Sequence, residues 1–167
     1  MNITLIGMPA AGKSRVGKEL AKLTGMKFVD TDAEIEKRYG KIDKIFAEKG
    51  EGFFRERESE VIREISFSDE NVISVGGGAV LREENMKAVK KNGFIVYLSV
   101  KPETVKTRTL RAKRPVISTA ESVRQLYAKR APIYEKYADL KIASDDYDLK
   151  RKTDAIMDFL NKYGDKK

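Results

Sequence analysis

The stretch Gly7-Met8-Pro9-Ala10-Ala11-Gly12-Lys13-Ser14 decides the fold of this chain. It fits the phosphate-loop pattern G-x-x-x-x-G-K-[ST] at every fixed position. The short apolar run before it, residues 2–6, is typical of a buried strand. After it, Val16, Leu20 and Leu23 recur at i, i+4 and i+7, which predicts a helix from about Lys13 to Thr24 that ends at Gly25. Strand, loop and helix follow in the order that the pattern requires.

The residue types in this stretch suit the binding of a nucleoside triphosphate. Gly7 and Gly12 permit backbone conformations and close approaches that a Cβ would block. The amides of the loop, from Met8 to Ala11, and of the following helix form a concavity for phosphate oxygens. Lys13 can reach the β and γ phosphates, and Ser14 can place its hydroxyl on Mg²⁺. The alternative is a chance glycine-rich turn, which the matching strand and helix disfavour.

Length and composition indicate a single globular domain. A chain of 167 residues with 41% hydrophobic residues can bury a core of its own. No apolar run approaches the roughly 20 residues of a membrane helix. The chain runs from Met1 directly into the first strand, which leaves no room for a signal peptide. We therefore expect a cytoplasmic protein.

The absence of two residue types narrows the chemistry. The chain contains no cysteine and no histidine. This excludes disulfides, thiol nucleophiles, Cys/His zinc sites and a histidine general base. If the protein is an enzyme, its proton acceptor is expected to be a carboxylate or water.

The charge balance is basic, with 34 Lys+Arg against 26 Asp+Glu and a net charge of +8. Nucleic-acid binding is one interpretation of such a balance. The charges are interspersed and no aromatic RNA-binding signature is present, so small anionic ligands explain the arginines better. We expect no nucleic-acid and no membrane partner.

Strand and helix patterns alternate along the rest of the chain. Further strands are expected at 27–30, 71–75, 94–98 and 140–143, and further helices at about 33–39, 42–46, 53–65, 83–91, 101–112, 121–137 and 149–163. Gly50 and Gly52 are expected to break the helical pattern between 46 and 53, and Pro132 to end or kink its helix. This alternation predicts an α/β fold with a parallel sheet.

Two acidic residues, Asp30 and Asp32, come at the carboxyl end of the second expected strand. Ligands of open parallel sheets bind outside these strand ends. The alternative role is helix capping, because Asp is a good N-cap and favours the first helical turn. We expect at least one of the two to be functional.

The third expected strand ends in Gly76-Gly77-Gly78. Three glycines let the backbone come close to a ligand and expose amides as donors. A flexible turn is the alternative, but three glycines lose much conformational entropy on folding. A functional role is favoured.

Arg55 and Glu58 lie three residues apart in an expected helix and can therefore meet. From the spacing alone, the better interpretation is a solvated ion pair worth a few tenths of a kcal/mol.

Taken together, the chain resembles the shikimate kinases along nearly its whole length. The residues and motifs that carry the resemblance are Gly7 to Ser14, Asp30-Thr31-Asp32, Phe54-Arg55-x-x-Glu58, Gly76-Gly77-Gly78, Arg114-Pro115 and Arg130-Ala131-Pro132-Ile133-Tyr134. The resemblance implies a three-layer αβα domain over 1–167, with a five-stranded parallel sheet of the nucleoside-monophosphate-kinase type. It also implies substrate-binding helices at about 32–61, a lid at about 109–122, and transfer of the γ-phosphoryl group of ATP to the 3-hydroxyl of shikimate.

By the same resemblance, Lys13 and Ser14 serve ATP and Mg²⁺, and Asp30 helps to hold the Mg²⁺ shell. Asp32 sits at the reacting hydroxyl, where with Lys13 and Arg114 it forms the catalytic group. The expected shikimate contacts are Asp32, Arg55, Glu58, Gly76, Gly77, Gly78 and Arg130, with Glu58 holding Arg55. Arg108 and the loop at about 144–148 are candidates for the adenine side.

Two other functions remain open at this point. Another small-molecule kinase of the same fold, acting on gluconate or a nucleoside monophosphate, is the first. A basic nucleotide-binding regulator with little turnover is the second. The arginine pair Arg55 and Arg130, the glycine triplet and Asp32 favour shikimate over both. A monomer is expected, because no exposed apolar stripe is evident.

Overall fold

The structure, a computed structural model, describes residues 1–111 and 122–164. Five strands alternate with seven α-helices in this part of the chain. In order they are β1 (Asn2–Ile6), α1 (Lys13–Thr24), β2 (Lys27–Asp30), α2 (Thr31–Tyr39), α3 (Ile42–Phe67), β3 (Asn71–Ser74), α4 (Glu83–Lys91), β4 (Gly93–Ser99), α5 (Pro102–Arg111), α6 (Val123–Tyr137), β5 (Leu140–Ala143) and α7 (Leu149–Tyr163). A short 3₁₀ helix, Ala79–Leu81, follows the glycine triplet.

The five strands form one parallel sheet in the order β2-β3-β1-β4-β5. The register pairs Leu5 of β1 with Ser74 of β3 and with Val96 of β4. Every strand therefore ends at the same edge of the sheet, and β1 lies at its centre with β3 on one side and β4 on the other. The phosphate loop leaves this central strand, as parallel α/β folds require of a ligand-binding loop.

The core lies on both faces of the sheet, where α1 packs against α7 and α3 against α4. Every residue of β1 is buried, and β4 is buried from Gly93 to Leu98. Such continuously buried strands are typical of sheets that helices cover on both faces. The predicted three-layer αβα fold with a five-stranded parallel sheet is confirmed. In α1, Val16 and Leu20 are buried as expected, whereas Leu23 is 52% exposed.

A second, smaller core joins α2 to α3. Its buried members are Ile35, Ile45, Phe54 and Val61, with half-buried aromatic and aliphatic side chains around them. This cluster packs the two helices together beside the carboxyl edge of the sheet. The helices that were predicted to bind substrate thus form a unit with its own apolar contacts. No helix in the described ranges is both long and apolar enough to cross a membrane.

Two expectations about helix boundaries are wrong. Helix α2 begins at Thr31, two residues early, because the Asp30 carboxylate caps it by accepting from the amides of Asp32 and Ala33. Between 42 and 67 only Gly50 leaves helical geometry, at φ 80° and ψ 171°, while Gly52 stays helical. Helix α6 continues past Pro132 to Tyr137, where it was expected to end, so of the two effects predicted for Pro132 an end of the helix is excluded.

The two glycines give a matched test of this kink. An added Cβ would meet nothing within 4 Å at either position. Gly50→Ala should lower the free energy of unfolding by about 1–3 kcal/mol, because its backbone conformation is essentially restricted to glycine. Gly52→Ala should raise it by about 0.5–1 kcal/mol, since alanine is the better helix former. Urea titrations of both variants check this, and two changes of the same sign would contradict the assignment of the kink.

Candidate active site at the carboxyl edge of the sheet

Both glycines of the phosphate-loop pattern adopt backbone conformations that favour glycine. Gly7 has φ 147°, and a Cβ on it would lie 2.5 Å from the carbonyl oxygen of Leu98 in the neighbouring strand. Gly12 has φ 91° and caps the amino end of α1. With the amino end of a helix beneath it, the loop presents the amides and helix dipole that favour bound phosphate.

Lys13 lies under this loop and is almost fully buried. Its Nζ donates to the carbonyl oxygens of Gly7 at 2.9 Å and Met8 at 3.0 Å. Burial lowers the pKa of Lys13 to about 8 although the charges of Asp32 and Asp30 oppose the shift, and the charge of Arg130 contributes to the lowering. The amine is thus held beneath the loop, where triphosphate oxygens would arrive.

Ser14 and Asp30 face each other at the mouth of the loop. The Ser14 hydroxyl donates to Asp30 Oδ2 at 2.8 Å, while Oδ1 of the same carboxylate caps α2. Asp30 therefore has the capping role, which was one of the two alternatives, and its second oxygen contacts the serine of the phosphate loop. The structure describes no group of three or more Asp or Glu that could hold a metal on its own. Mg²⁺ commonly takes only one or two carboxylates and completes its shell with phosphates and water, so this pair fits such an ion.

Asp32 lies in the first turn of α2, between the phosphate loop and the end of β3. Burial raises its pKa and the nearby Asp30 charge adds to the rise, while Lys13 and Arg55 oppose it. An added Cβ on Gly76 would lie 2.8 Å from Asp32 Oδ1 and 2.8 Å from Glu58 Oε1. The carboxylates of Asp32 and Glu58 therefore both lie against the Gly76 backbone, in the space that a side chain at this position would fill.

The pair of Arg55 and Glu58 is buried, so its interpretation as a solvated ion pair is wrong. Arg55 donates to Glu58 at 2.7 Å, and the side chains are 13% and 0% exposed. Glu58 is buried because it falls on the same side of α3 as Phe54, Val61 and Ile62. Burial raises the pKa of Glu58 to about 7 in spite of the opposing charge and hydrogen bond of Arg55.

The arginines expected to contact the acceptor substrate lie against the glycine triplet. An added Cβ would lie 2.3 Å from the Arg55 guanidinium at Gly78, and 2.8 Å from Pro9 and 3.3 Å from Arg130 at Gly77. Side chains from three other segments thus approach the triplet closely, and the predicted approach of its backbone to a ligand stays a prediction. Arg130 reaches the triplet from α6.

Several polar atoms of this cluster have no hydrogen-bond partner within the described chain. They are Arg55 Nε, Glu58 Oε1 and Arg130 Nε. Arg55 Nε lies 3.5 Å from a Glu51 carboxylate oxygen, which is ion-pair range without hydrogen-bond geometry. Buried polar groups are nearly always satisfied in native proteins. The cluster thus offers two cationic donors and one carboxylate acceptor that lack hydrogen-bond partners. Such a set suits a small ligand that carries a carboxylate and hydroxyls.

The adenine-side candidates lie together on the opposite side of the phosphate loop. The Arg108 guanidinium donates to the carbonyl oxygens of Ala10 at 3.1 Å, Ser144 at 2.7 Å and Asp145 at 2.9 Å. It also lies over the ring of Tyr147. An open cleft runs along this guanidinium between the loop and the start of α7. Arg108 and the 144–148 loop thus form one wall of this cleft, which is where an adenine base could bind.

Two contacts of this wall were not expected from the sequence. The Ser144 hydroxyl donates to the Ala11 carbonyl oxygen at 2.8 Å, and Lys152 donates to the Asp146 carbonyl oxygen at 2.6 Å. The first contact joins residues 133 positions apart, whereas the second spans only six positions, and no motif in the sequence marks either one. Arg114 and most of the predicted lid, from 112 to 121, lie outside the described residues.

The fold and this site together define a phosphate-loop kinase of the nucleoside-monophosphate-kinase type. Comparison with known proteins then identifies the family. The family model described as shikimate kinase matches residues 9–161. A shikimate kinase of Symbiobacterium thermophilum is 39% identical over 173 aligned residues, which cover 99% of each chain. One of Pasteurella multocida is 42% identical over 166 residues, which cover 96% of this chain and 95% of that one.

A solved structure agrees with these relatives. The shikimate kinase from Acinetobacter baumannii in complex with shikimate superposes with a TM-score of 0.89 at 34% identity, over 96% of this chain and 93% of that chain. The chain belongs to the shikimate kinase family. The resemblance that the sequence motifs suggested is confirmed.

The lowered pKa of Lys13 predicts how nucleotide binding depends on pH. Bound phosphates favour the charged amine, so above pH 8 the free protein must take up a proton when it binds MgATP. The dissociation constant should therefore rise above pH 8, toward tenfold per pH unit. Fluorescence titrations with MgATP between pH 7 and 10 measure it. Lys13→Met should bind more weakly throughout and lose this slope, and a variant that kept the slope would contradict the assignment.

Proposed function

We propose that this chain transfers the γ-phosphoryl group of ATP to the 3-hydroxyl of shikimate, giving ADP and shikimate 3-phosphate on the route to chorismate and the aromatic amino acids. Membership of the shikimate kinase family supports the reaction. The observation that carries the site assignment is the convergence of Asp32, Arg55 and Arg130 on the glycine triplet, directly beside Lys13 and the phosphate loop.

On the nucleotide side, the triphosphate lies against the loop amides from Met8 to Gly12. Lys13 exchanges the Gly7 and Met8 carbonyls for phosphate oxygens and stabilises the charge that develops during transfer. Ser14 supplies a hydroxyl to Mg²⁺, and Asp30 holds the ion's water shell. When bound, Mg²⁺ would offset part of the negative charge of the triphosphate. The adenine lies in the cleft beside Arg108.

On the acceptor side, Arg55 and Arg130 bind the shikimate carboxylate. The planar guanidinium groups offer the paired donors that a carboxylate matches, which a lysine would not. Glu58 fixes Arg55 and leaves Oε1 free to accept from a substrate hydroxyl. The amides of the glycine triplet add donors near the same place.

Asp32 accepts a hydrogen bond from the reacting hydroxyl in this proposal. Its burial and raised pKa make it a hydrogen-bond acceptor that tolerates a proton better than an exposed carboxylate would. Because phosphoryl transfer depends mainly on positioning and charge stabilisation, Asp32 orients the hydroxyl toward the γ-phosphate and receives its proton as the bond forms. In this proposal Arg114 closes over the phosphates from the lid and excludes water.

The remaining expectations complete the proposal. We propose that the enzyme works as a monomer, since no exposed apolar stripe is evident from the sequence, and that it is cytoplasmic with no nucleic-acid or membrane partner. The single domain over 1–167 carries both the nucleotide and the acceptor side.

The reaction is tested by measuring ADP release from MgATP with shikimate, gluconate or nucleoside monophosphates as acceptor. Shikimate should stimulate ADP release, and the other acceptors should leave it at the level of slow hydrolysis. Phosphorus NMR should find the new phosphate ester on the 3-hydroxyl. Equal stimulation by gluconate or a nucleoside monophosphate would overturn the choice of acceptor.

Arg55 provides the sharper test of the site. Arg55→Lys should raise the KM for shikimate about tenfold or more, because lysine cannot offer two parallel donors to the carboxylate. The KM for ATP should change by less than about twofold. Arg57→Lys is the matched control on the same helix, since Arg57 stacks on Tyr39 and Phe53 and pairs with Glu60. Equal effects of Arg55→Lys on both substrates would mean that Arg55 does not bind the acceptor.

A further inference from the structure

Tyr134 is a fully buried residue of α6 whose hydroxyl makes a short contact with the glycine triplet. It is 0% exposed, and its hydroxyl donates to the Gly77 carbonyl oxygen at 2.5 Å. Its ring packs against that of Tyr97, with centroids 5.0 Å apart. A buried, packed ring holds its hydroxyl in one place, so the carbonyl that it binds is held as well.

The geometry of the peptide group passes this constraint on to the neighbouring amide. The peptide between Gly77 and Gly78 is planar and trans, so its C=O and N–H point in opposite directions. With the Gly77 carbonyl turned toward Tyr134, the Gly78 N–H must point away from it. Within the described ranges, the amides of Gly77 and Gly78 donate to no protein group. A glycine backbone without this contact could rotate its amide readily.

The bond to Gly77 joins two segments that lie far apart in the chain. Tyr134 belongs to α6, which also carries Arg130 one helical turn earlier. Burial raises the pKa of Tyr134 although the nearby charge of Arg130 opposes the rise, so the hydroxyl remains a neutral donor. The contact therefore links α6 to the loop after β3.

We propose that Tyr134 is a positioning residue for the acceptor: its hydroxyl holds the Gly77–Gly78 peptide in the orientation in which the Gly78 amide can bind the substrate. This inference rests on the proposed function, because it assigns the glycine triplet to the acceptor. Tyr134 itself touches neither the nucleotide nor the reacting atoms.

The test removes one hydroxyl from each of two stacked tyrosines. Tyr134→Phe keeps the ring and loses the bond to Gly77. Tyr97→Phe is the matched control, because Tyr97 is equally buried and makes no described hydrogen bond to the site. Tyr134→Phe should raise the dissociation constant and KM for shikimate about five- to tenfold, the range expected for one hydrogen bond. The kcat and the KM for ATP should stay within about twofold, and Tyr97→Phe should change none of these quantities beyond twofold.

A spectroscopic readout separates positioning from a general loss of stability. The chain has 12 glycines, so ¹⁵N-glycine labelling gives a simple amide spectrum. In Tyr134→Phe the signals of Gly77 and Gly78 should shift or broaden, while those of distant glycines such as Gly25 and Gly164 stay in place. Tyr97→Phe should leave the triplet signals unchanged.

The outcomes separate this inference from the proposed function. If the unmodified protein shows no shikimate-dependent turnover, the proposed function fails. If it does turn over shikimate but Tyr134→Phe matches Tyr97→Phe in shikimate affinity and in the triplet signals, the role of Tyr134 is overturned. A fall in kcat with an unchanged shikimate KM would also overturn it, because the hydroxyl would then act on the transition state alone.

Discussion

The site depends on one packing constraint: two loops must pass each other at the carboxyl edge of the sheet without side chains between them. Gly7 leaves β1 against the Leu98 carbonyl oxygen, and Gly77 follows β3 against the Pro9 ring. A Cβ at either position would lie closer than 3 Å to these atoms. Because β1 and β3 are neighbours in the sheet, the phosphate loop and the glycine triplet lie side by side. In the proposed function, that contact brings the phosphate donor next to its acceptor.

Buried charge explains why the side chains around this contact are unusual. Burial lowers the pKa of Lys13 and raises the pKa of Asp32 and Glu58, so in each case it favours the neutral form. Each shift is opposed by an opposite charge nearby. Arg55 and Arg130 retain buried nitrogen atoms without partners. Such an arrangement is costly in an isolated protein, since buried charges need partners. Anionic substrates on both sides of Lys13 would supply them, so the site is organised for its ligands more than for stability.

Much of this could be predicted from the sequence because the signals are local. The phosphate loop, the strand–helix alternation and the C-cap of α1 at Gly25 follow from residue type and spacing, and the structure confirms them. The pattern also placed Asp30 at a strand end, where it both caps a helix and meets Ser14. The motif resemblance then identified the family and the residues that the structure brings together.

What the sequence missed depends on tertiary packing. Helical spacing predicts that Arg55 and Glu58 meet but contains no information on whether the sheet buries them. Gly50 and Gly52 look alike as helix breakers, yet only Gly50 adopts a conformation that requires glycine. The contacts of Tyr134 with Gly77 and of Ser144 with Ala11 join residues far apart in the chain. No local pattern distinguishes these residues from ordinary core or loop positions.

The most direct test of this account is a calorimetric titration of shikimate into the protein without nucleotide. The account holds that the glycine triplet, the buried Arg55–Glu58 pair and Arg130 form the acceptor site before ATP arrives. It predicts one shikimate bound per chain, with binding lost when Arg55 is replaced by alanine and retained when Arg57 is replaced by lysine. Absence of binding until a nucleotide is added, or binding that is indifferent to Arg55, would contradict it.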